Sequence, residues 1–488
     1  MSARGRYLQR TLRHELATVV GSEHVSTDAE QLQAQAEDCS WVAMYHRMRE
    51  LELPAADVVV RPDTPEQVAD IVRIAYDRGV PVVPRGGGTG SQGGTFAPYG
   101  GIALDLGRMS RIRAVDTTSL TVEADAGATG QAVEEAAGRH DLTLAHYPGS
   151  LYRGATFGGY LAARGSGVVS TKYGKAEDQV LAVEAVLPPG RLVRTPATPN
   201  HAVGPGLLQL LVGSEGTHGV ITGATMRLDP IPTRRAFLSF VFPTVDDGLA
   251  AARTLVTARW RPAAMRLYDE AGSAFLNKVV DHGVDGVLLV VVCDGEPALV
   301  DVEQQAITEI CTGAGGKDIG GAAAKAWWDG KYEVHSEERA PRPPLLFGTS
   351  DACCTFDKLP ALYRAKKHAV ESEFASVGVR YTAHFSHWYP WGGMIYDRFY
   401  VDEPPADPDA ALDLHDRLWD TCIRVNLDAV MNDHHGVGEK LARFMRAQHG
   451  PAFDTLLDIR GAIDPLGLMN PGKLGFGAPR VAVQGAQR

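Results

Sequence analysis

The feature that most limits what this chain can fold into is a glycine run at the mouth of a short apolar segment. PVVP (Pro81–Pro84) empties into RGGGTGSQGG (Arg85–Gly94). Without Cβ atoms, successive backbone N–H groups can close on a ligand and form a concave donor surface for phosphate oxygens. Thr89 and Ser91 add hydroxyl donors. No G-K-[ST] follows, so this is not a Walker loop, and neither the spacing nor a following helix fits the Rossmann fingerprint. On its own the loop reads equally as a flexible surface turn.

Its surroundings read as α/β. Val58–Val60 are β-branched, Asp63 or Thr64 can cap a helix striped with Val68, Ile71, Val72 and Ala75, and Gly79 ends it. With Pro81–Pro84 this makes a strand–helix–strand rhythm. Upstream, Leu8, Leu12, Leu16 and Val19 share one helical face that closes at Gly21. Residues 102–126 alternate apolar runs with polar turns, as successive strands do, and Gly130–Arg139 reads as a helix. After Pro230-Ile231-Pro232 glycine thins, and helices such as Val245–Arg259 alternate with strands such as Val287–Val292. That change of texture places a domain boundary at the prolines. RAPRPPLL (Arg339–Leu346) reads as a loop, and the glycine-rich tail Pro465–Gly477 is expected to rejoin the first domain.

Charge and composition exclude several classes. Lys and Arg (48) against Asp and Glu (59) leave −11, which disfavours nucleic acid and points to small-molecule partners. A hydrophobic fraction of 44% with 22% charged residues suits a globular chain rather than a disordered one. The longest apolar run, Gly286–Cys293, is far short of a membrane span and fits a buried strand. No secretory signal opens the chain, so a cytoplasmic location is the expectation. The six cysteines show neither C-x-x-C nor framework spacing, and the adjacent Cys353 and Cys354 read as reduced thiols.

Two further glycine segments repeat the chemistry of the first. PGSLYRGATFGGYLAARGSGVVSTKYG (Pro148–Gly174) combines small residues and hydroxyls, and GSEGTHGVIT (Gly213–Thr222) flanks a short strand with glycine. A dinucleotide diphosphate needs such close backbone approach. In this order the three segments resemble the FAD-binding domain of the vanillyl-alcohol oxidase/PCMH superfamily. Within it the chain is most similar to alkyl-dihydroxyacetonephosphate synthases, through GGYLAARGSGVVSTKYGKAEDQV, AMRLYDE, GGMIY and NDHHGVGEKL.

That resemblance implies an α+β fold: a two-subdomain PCMH-type FAD-binding domain over 1–232, an α/β cap domain with an antiparallel sheet over 233–432, and a segment 433–488 returning to the FAD domain. It implies noncovalent FAD, since the glycine loop has no histidine and the second stretch no cysteine. Arg85, Gly86, Gly87, Gly88, Thr89, Gly90 and Ser91 would wrap the pyrophosphate. Pro148, Gly149, Ser150, Thr156, Gly158, Gly159, Arg164, Ser166, Gly167, Val168, Tyr173, Glu215, Gly219 and Ile221 would line the rest. Catalytic candidates are His434, His435, Tyr396, Arg266 and His384.

Each candidate has a plainer alternative. His434 and His435 could be a satisfied pair at a helix N-terminus capped by Asp433, Tyr396 could be packing, and Arg266 a surface ion pair. As functional groups, the histidines and tyrosine suit proton removal and Arg266 suits an anion. Trp388, Tyr389, Trp391 and Tyr396 suit either cap core or a cavity wall. Two positions depart from the synthases: Asp433 stands where they carry a histidine, and His384 where they carry an arginine, which speaks against a phosphorylated substrate. There is also a weaker similarity to flavin-linked D-2-hydroxyacid dehydrogenases, whose metal-binding positions fall on Tyr389 and Tyr396. The two histidines of HFSHW (His384–Trp388) sit on a strand or loop, and no metal is expected.

The functional expectation is therefore an FAD-dependent oxidoreductase. It would oxidise an alcohol, 2-hydroxy acid or amine-type C–H, pass electrons to O₂ or a carrier, and possess no membrane span; a homodimer is compatible with it. The alternatives are an alkyl-dihydroxyacetonephosphate synthase working through a flavin–substrate adduct without net redox change, and a flavin-binding protein without catalysis.

Overall fold

The computed structural model describes residues 3–333, 340–426 and 429–480. Thr64 accepts a hydrogen bond from the Gln67 N–H and Pro65 takes the first helical position, so the helix Pro65–Arg78 starts there; it stops at Gly79, with φ of 64°. Its stripe, Val68, Ile71, Val72 and Ala75, is fully buried. The strands Val58–Val60, Ile102–Asp105 and Val82–Arg85 run parallel in that order, with Val25–Ser26 antiparallel at the edge. The glycine run thus begins at the carboxyl edge of a parallel strand, where open α/β sheets present ligands.

A second sheet, antiparallel, takes the order Ile112–Asp116, Thr121–Asp125, Val220–Arg227, Val180–Leu187, Arg191–Arg194. Leu104 and Val72 from the first sheet layer share one core with Val122, Phe157, Val183 and Met226 from the second. Asp229–Pro230 still pairs with Leu142–Thr143 of this half, and the next strand, Arg234–Phe242, enters a different sheet.

That sheet has seven antiparallel strands, in the order Lys317–Asp318, Arg234–Phe242, Val287–Gly295, Ala264–Tyr268, Arg380–Tyr389, Gly392–Val401, Leu346–Thr355. Val287–Val292 is an inner strand buried on both faces, which is why it reads as one apolar run. The helices Val245–Thr257, Pro297–Gly313, Leu359–Glu373 and Pro408–Asn426 cover one face, packing on Leu238, Phe240, Leu267, Phe385, Ile395 and Phe399. The opposite face turns toward the first half, where Tyr173, Val169 and Ala145 join Tyr268, Val290 and Trp327.

The tail packs on the first half. The Val82 N–H donates to the Leu468 carbonyl and the Asn470 N–H to the Val82 carbonyl, while Lys473, fully buried, donates to the Phe96 carbonyl at 2.7 Å. One of the plainer alternatives fails: Asp433 caps no helix. Residues 433–438 form an irregular loop held by side chains of other elements.

Candidate active site

The cavity between the two halves measures about 1040 Å³. Its floor is mostly backbone, from Arg85–Ser91, Pro148–Ser150, Thr156, Gly158, Gly159, Ser166, Gly167, Val168, Glu215, Gly219 and Ile221. A Cβ on Gly87 would collide with the Gly154 carbonyl oxygen and one on Gly167 with the Tyr147 nitrogen, so the chain closes there only through glycine. Gly90 is different: no protein atom lies within 4 Å of where its Cβ would stand, and the space it faces is the cavity. Several polar atoms of the floor are left over. Arg85 Nε and both ring nitrogens of His146 are buried without a partner in the protein. A ligand bearing phosphate oxygens and a polar ring edge fits such a floor.

The wall opposite is made of side chains that alternate along strands. Arg266, His384, Ser386, Tyr396 and Arg398 face the cavity, whereas Met265, Leu267, Phe385, Ile395 and Phe399, one residue away, belong to the helix-covered core. Register sets Asp351, Tyr396 and His384 in one cross-strand row, and the His384 and Tyr396 rings stack at 4.6 Å. A bulge between Ser386 and Tyr389, with His387 at φ of 52°, turns His387 to the same side. There its Nε2 lies 3.0 Å from Ser166 Oγ.

Two carboxylates organise the histidine pair. Asp351, buried, accepts from the N–H groups of Asp433 (2.6 Å) and His434 (3.0 Å) and sits 2.7 Å from His435 Nδ1. Burial opposes charge on His435, but the charge and hydrogen bond of Asp351 outweigh it and raise the imidazole to about 9. His434 lies 3.1 Å from Asp433 Oδ2, yet burial and the neighbouring His435 cation lower it. Asp433 also accepts from the Tyr389 hydroxyl at 3.1 Å; burial works against its charge, but Lys175 and His434 hold it well below the usual carboxylate range. The two rings, 4.1 Å apart, are thus biased toward opposite protonation states. Tyr396 is shifted too: burial would raise the phenol, but the charges of Arg398 and His435 bring it below its ordinary value. Burial, with Arg266 and Arg398 nearby, lowers His384 well below the normal imidazole range.

All five catalytic candidates line the cavity. Two of the cofactor candidates do not. Arg164 pairs with Glu177 at 3.0 Å and donates to the Val212 carbonyl; Tyr173 donates to Asp294 at 2.9 Å, tying the first half to the cap sheet. Glu215 lines the cavity but spends its carboxylate on the Val437 and Gly438 N–H groups, anchoring the histidine loop. Sequence reasoning missed Asp351, His146 and Arg398, since nothing local marks them, and weighed His387 only as half of a metal pair in HFSHW. Among the described residues two groups have the spacing to hold a metal ion: Asp351 with His434 and His435, and His387 with Asp433 and His434. In the first, Asp351 is already engaged by two amides and an imidazole; in the second, Lys175 stands 3.7 Å from Asp433, a cation where the ion would compete. Of the aromatic residues, Trp388 is core, its Nε1 donating to the Met265 carbonyl, while Trp391 is exposed at the hairpin turn.

A backbone cradle on one side of the cavity faces a titratable sheet surface on the other, an arrangement that suits an enzyme with a dinucleotide cofactor. Residues 56–196 match the FAD binding domain family, and residues 231–474, half of the chain, match the FAD linked oxidases, C-terminal domain. The chain belongs to the FAD-linked oxidases, and its cofactor is FAD. It is 27% identical over 450 residues to alkyldihydroxyacetonephosphate synthase of Trypanosoma brucei brucei, covering 86% of this chain and 73% of that one. To the mitochondrial D-lactate dehydrogenase (cytochrome) of Arabidopsis thaliana it is 29% identical over 428 residues, with the same coverage of each. The fold is shared with a solved alkyldihydroxyacetonephosphate synthase (TM-score 0.78, 21% identity, 95% of this chain and 86% of that chain) and with p-cresol methylhydroxylase (0.75, 18%, 96% and 97%).

Proposed function

We propose that this chain is an FAD-dependent oxidoreductase that oxidises a small hydroxylated substrate, with FAD held noncovalently. The observation that supports it best is the assignment of His434 and His435 to different carboxylates, which keeps one ring neutral and the other charged at one cavity. When bound on the glycine floor, FAD supplies the hydride acceptor. His434 removes the hydroxyl proton, while His435, fixed through Nδ1 by Asp351, donates toward the substrate oxygen. Tyr396, between the histidines and Arg398, orients that oxygen. The kinship with D-lactate dehydrogenase agrees with this reading.

Arg398 favours the second reading, a synthase of the alkyldihydroxyacetonephosphate type. It supplies on the next strand the positive charge that His384 lacks, so a phosphate is electrostatically acceptable. Anaerobic mixing of the holoprotein with D-lactate and longer 2-hydroxy acids tests the two. Bleaching of the flavin band, reversed by O₂ or a dye, is expected; exchange of acyl-dihydroxyacetonephosphate with a fatty alcohol, without acceptor or bleaching, would replace it with the synthase. Unchanged behaviour of His434→Ala and His435→Ala would point instead to a flavin-binding protein without catalysis.

A further inference from the structure

Lys175 follows the second glycine segment, and its side chain is only 6% exposed. It reaches from the FAD-binding half to the histidine loop, donating to the Asp433 carbonyl at 2.6 Å and lying 3.7 Å from Asp433 Oδ1. Its second counter-charge is Glu177 at 3.4 Å, itself paired with Arg164. Burial works against the ammonium's charge, but Asp433 and Glu177 outweigh it and raise Lys175 above its ordinary value. A buried charge of this kind persists only where its partners are fixed. The Asp433 carboxylate is shared three ways: Oδ1 meets Lys175 and the Tyr389 hydroxyl, the latter at 3.1 Å, and Oδ2 meets His434 Nδ1 at 3.1 Å. A charged chain that starts in the FAD-binding half thus ends on the His434 ring.

From this we infer that Lys175 is a positioning residue for the proton-transfer step: through Asp433 it holds the proton of the His434 ring on Nδ1 and leaves Nε2 as the atom that takes the substrate's hydroxyl proton. This rests on the oxidoreductase reading, which makes His434 the base. A carboxylate that accepts from one imidazole nitrogen sets the tautomer and the orientation of the ring. Without another partner, such a carboxylate also favours the imidazolium, which cannot accept a proton. The Lys175 cation answers the Asp433 charge, so the ring is aligned and still neutral. The neighbouring histidine shows the contrast. Asp351 is paired with the histidines and, among the described residues, with no lysine or arginine, and there His435 is the charged ring. Asp351, His435, His387, Tyr396 and His146 also face the His434 ring, and all of them stay in variants at Lys175.

The test follows anaerobic flavin reduction of the holoprotein by D-lactate, separating the saturating rate from the apparent Kd. At pH 7 Lys175→Met should lower that rate about tenfold to a hundredfold with the Kd within about threefold. Lys175→Arg, which keeps a cation, should retain more of the rate; if Lys175→Met does not fold, Lys175→Gln takes its place. In an Asp433→Asn background the carbonyl remains but the charge is gone, and there Lys175→Met should cost no more than about a further threefold. A second loss of full size would make Lys175 a backbone strut and overturn the inference. As a readout independent of oxidation, histidine-selective 15N–1H correlation spectra at pH 7 should place the His434 proton on Nδ1 alone, the signal being assigned by its absence in His434→Ala. Both nitrogens should be protonated in Lys175→Met. The same spectrum and rate in that variant as in wild type would overturn the inference. Reduction by D-lactate with an Nε2-protonated His434 would overturn it while leaving the oxidoreductase reading intact. Absence of bleaching by any 2-hydroxy acid, with the Nδ1 proton and its dependence on Lys175 in place, would do the reverse.

Discussion

At Gly87 the chain closes on itself through backbone, with a carbonyl oxygen where a side chain would have to go; at His435, across the same cavity, one side chain is held by another from a distant strand. Where such a floor closes on itself it tolerates no added atom. The cap wall is full of charge and tolerates changes of size better than changes of ionisation. On the proposed function, binding the cofactor and handling the substrate therefore fail in different ways, one sterically and one electrostatically.

Gly87→Ala is expected to do the most damage. The backbone contact with Gly154 must open, and loss of soluble, flavin-loaded protein follows, read by expression yield and the flavin absorbance ratio. On the cap side, His434→Ala should lower kcat/KM by about 10²- to 10⁴-fold while leaving flavin content unchanged, which steady-state kinetics and a spectrum check together.

Asp351→Asn sharpens the electrostatic half. With His434 lowered and His435 raised to about 9, wild-type kcat/KM should be level through neutral pH and fall as His435 loses its proton near 9. In the variant that upper limb should move down toward the ordinary imidazole value. The stability contributed by His435 has the same sign: complete below about 6.5, the unfolded value, and lost as pH rises through 9. Thermal melts from pH 6 to 10 should show a steeper decline in wild type than in the variant. A pH profile shared by both would detach Asp351 from His435.

Smaller effects separate floor from scaffold. Gly90→Ala meets no protein atom, so apo stability should shift by less than about 1 kcal/mol while FAD affinity drops. Tyr173→Phe removes the hydrogen bond to Asp294 and should cost about 1 kcal/mol in stability without affecting FAD affinity. An equal loss of FAD affinity in both would erase the distinction between lining residue and inter-domain tie.

The floor was legible because its requirement is local. Glycines needed for close approach must be written consecutively, and a strand emptying into them can be read along the chain, as can the cap and stop of the Pro65–Arg78 helix. Arg164 and Tyr173 show the limit of that local reading: they stand inside the glycine-rich stretch, yet their side chains turn away to Glu177 and Asp294. The cap wall was legible only where a motif kept its residues together, as at His434-His435. Asp351 lies more than eighty residues upstream of them, and only the pairing of Leu346–Thr355 with Gly392–Val401 brings it under that loop. Arg398 likewise gains its meaning from strand register, since one residue along, Phe399 faces the opposite core. Residue order alone therefore determined the backbone concavity proposed to hold the dinucleotide, because such concavity is encoded in neighbours. Which histidine is biased toward charge, and where the cavity presents its arginines, waited on the fold, because those depend on distances between strands that sequence separation does not set.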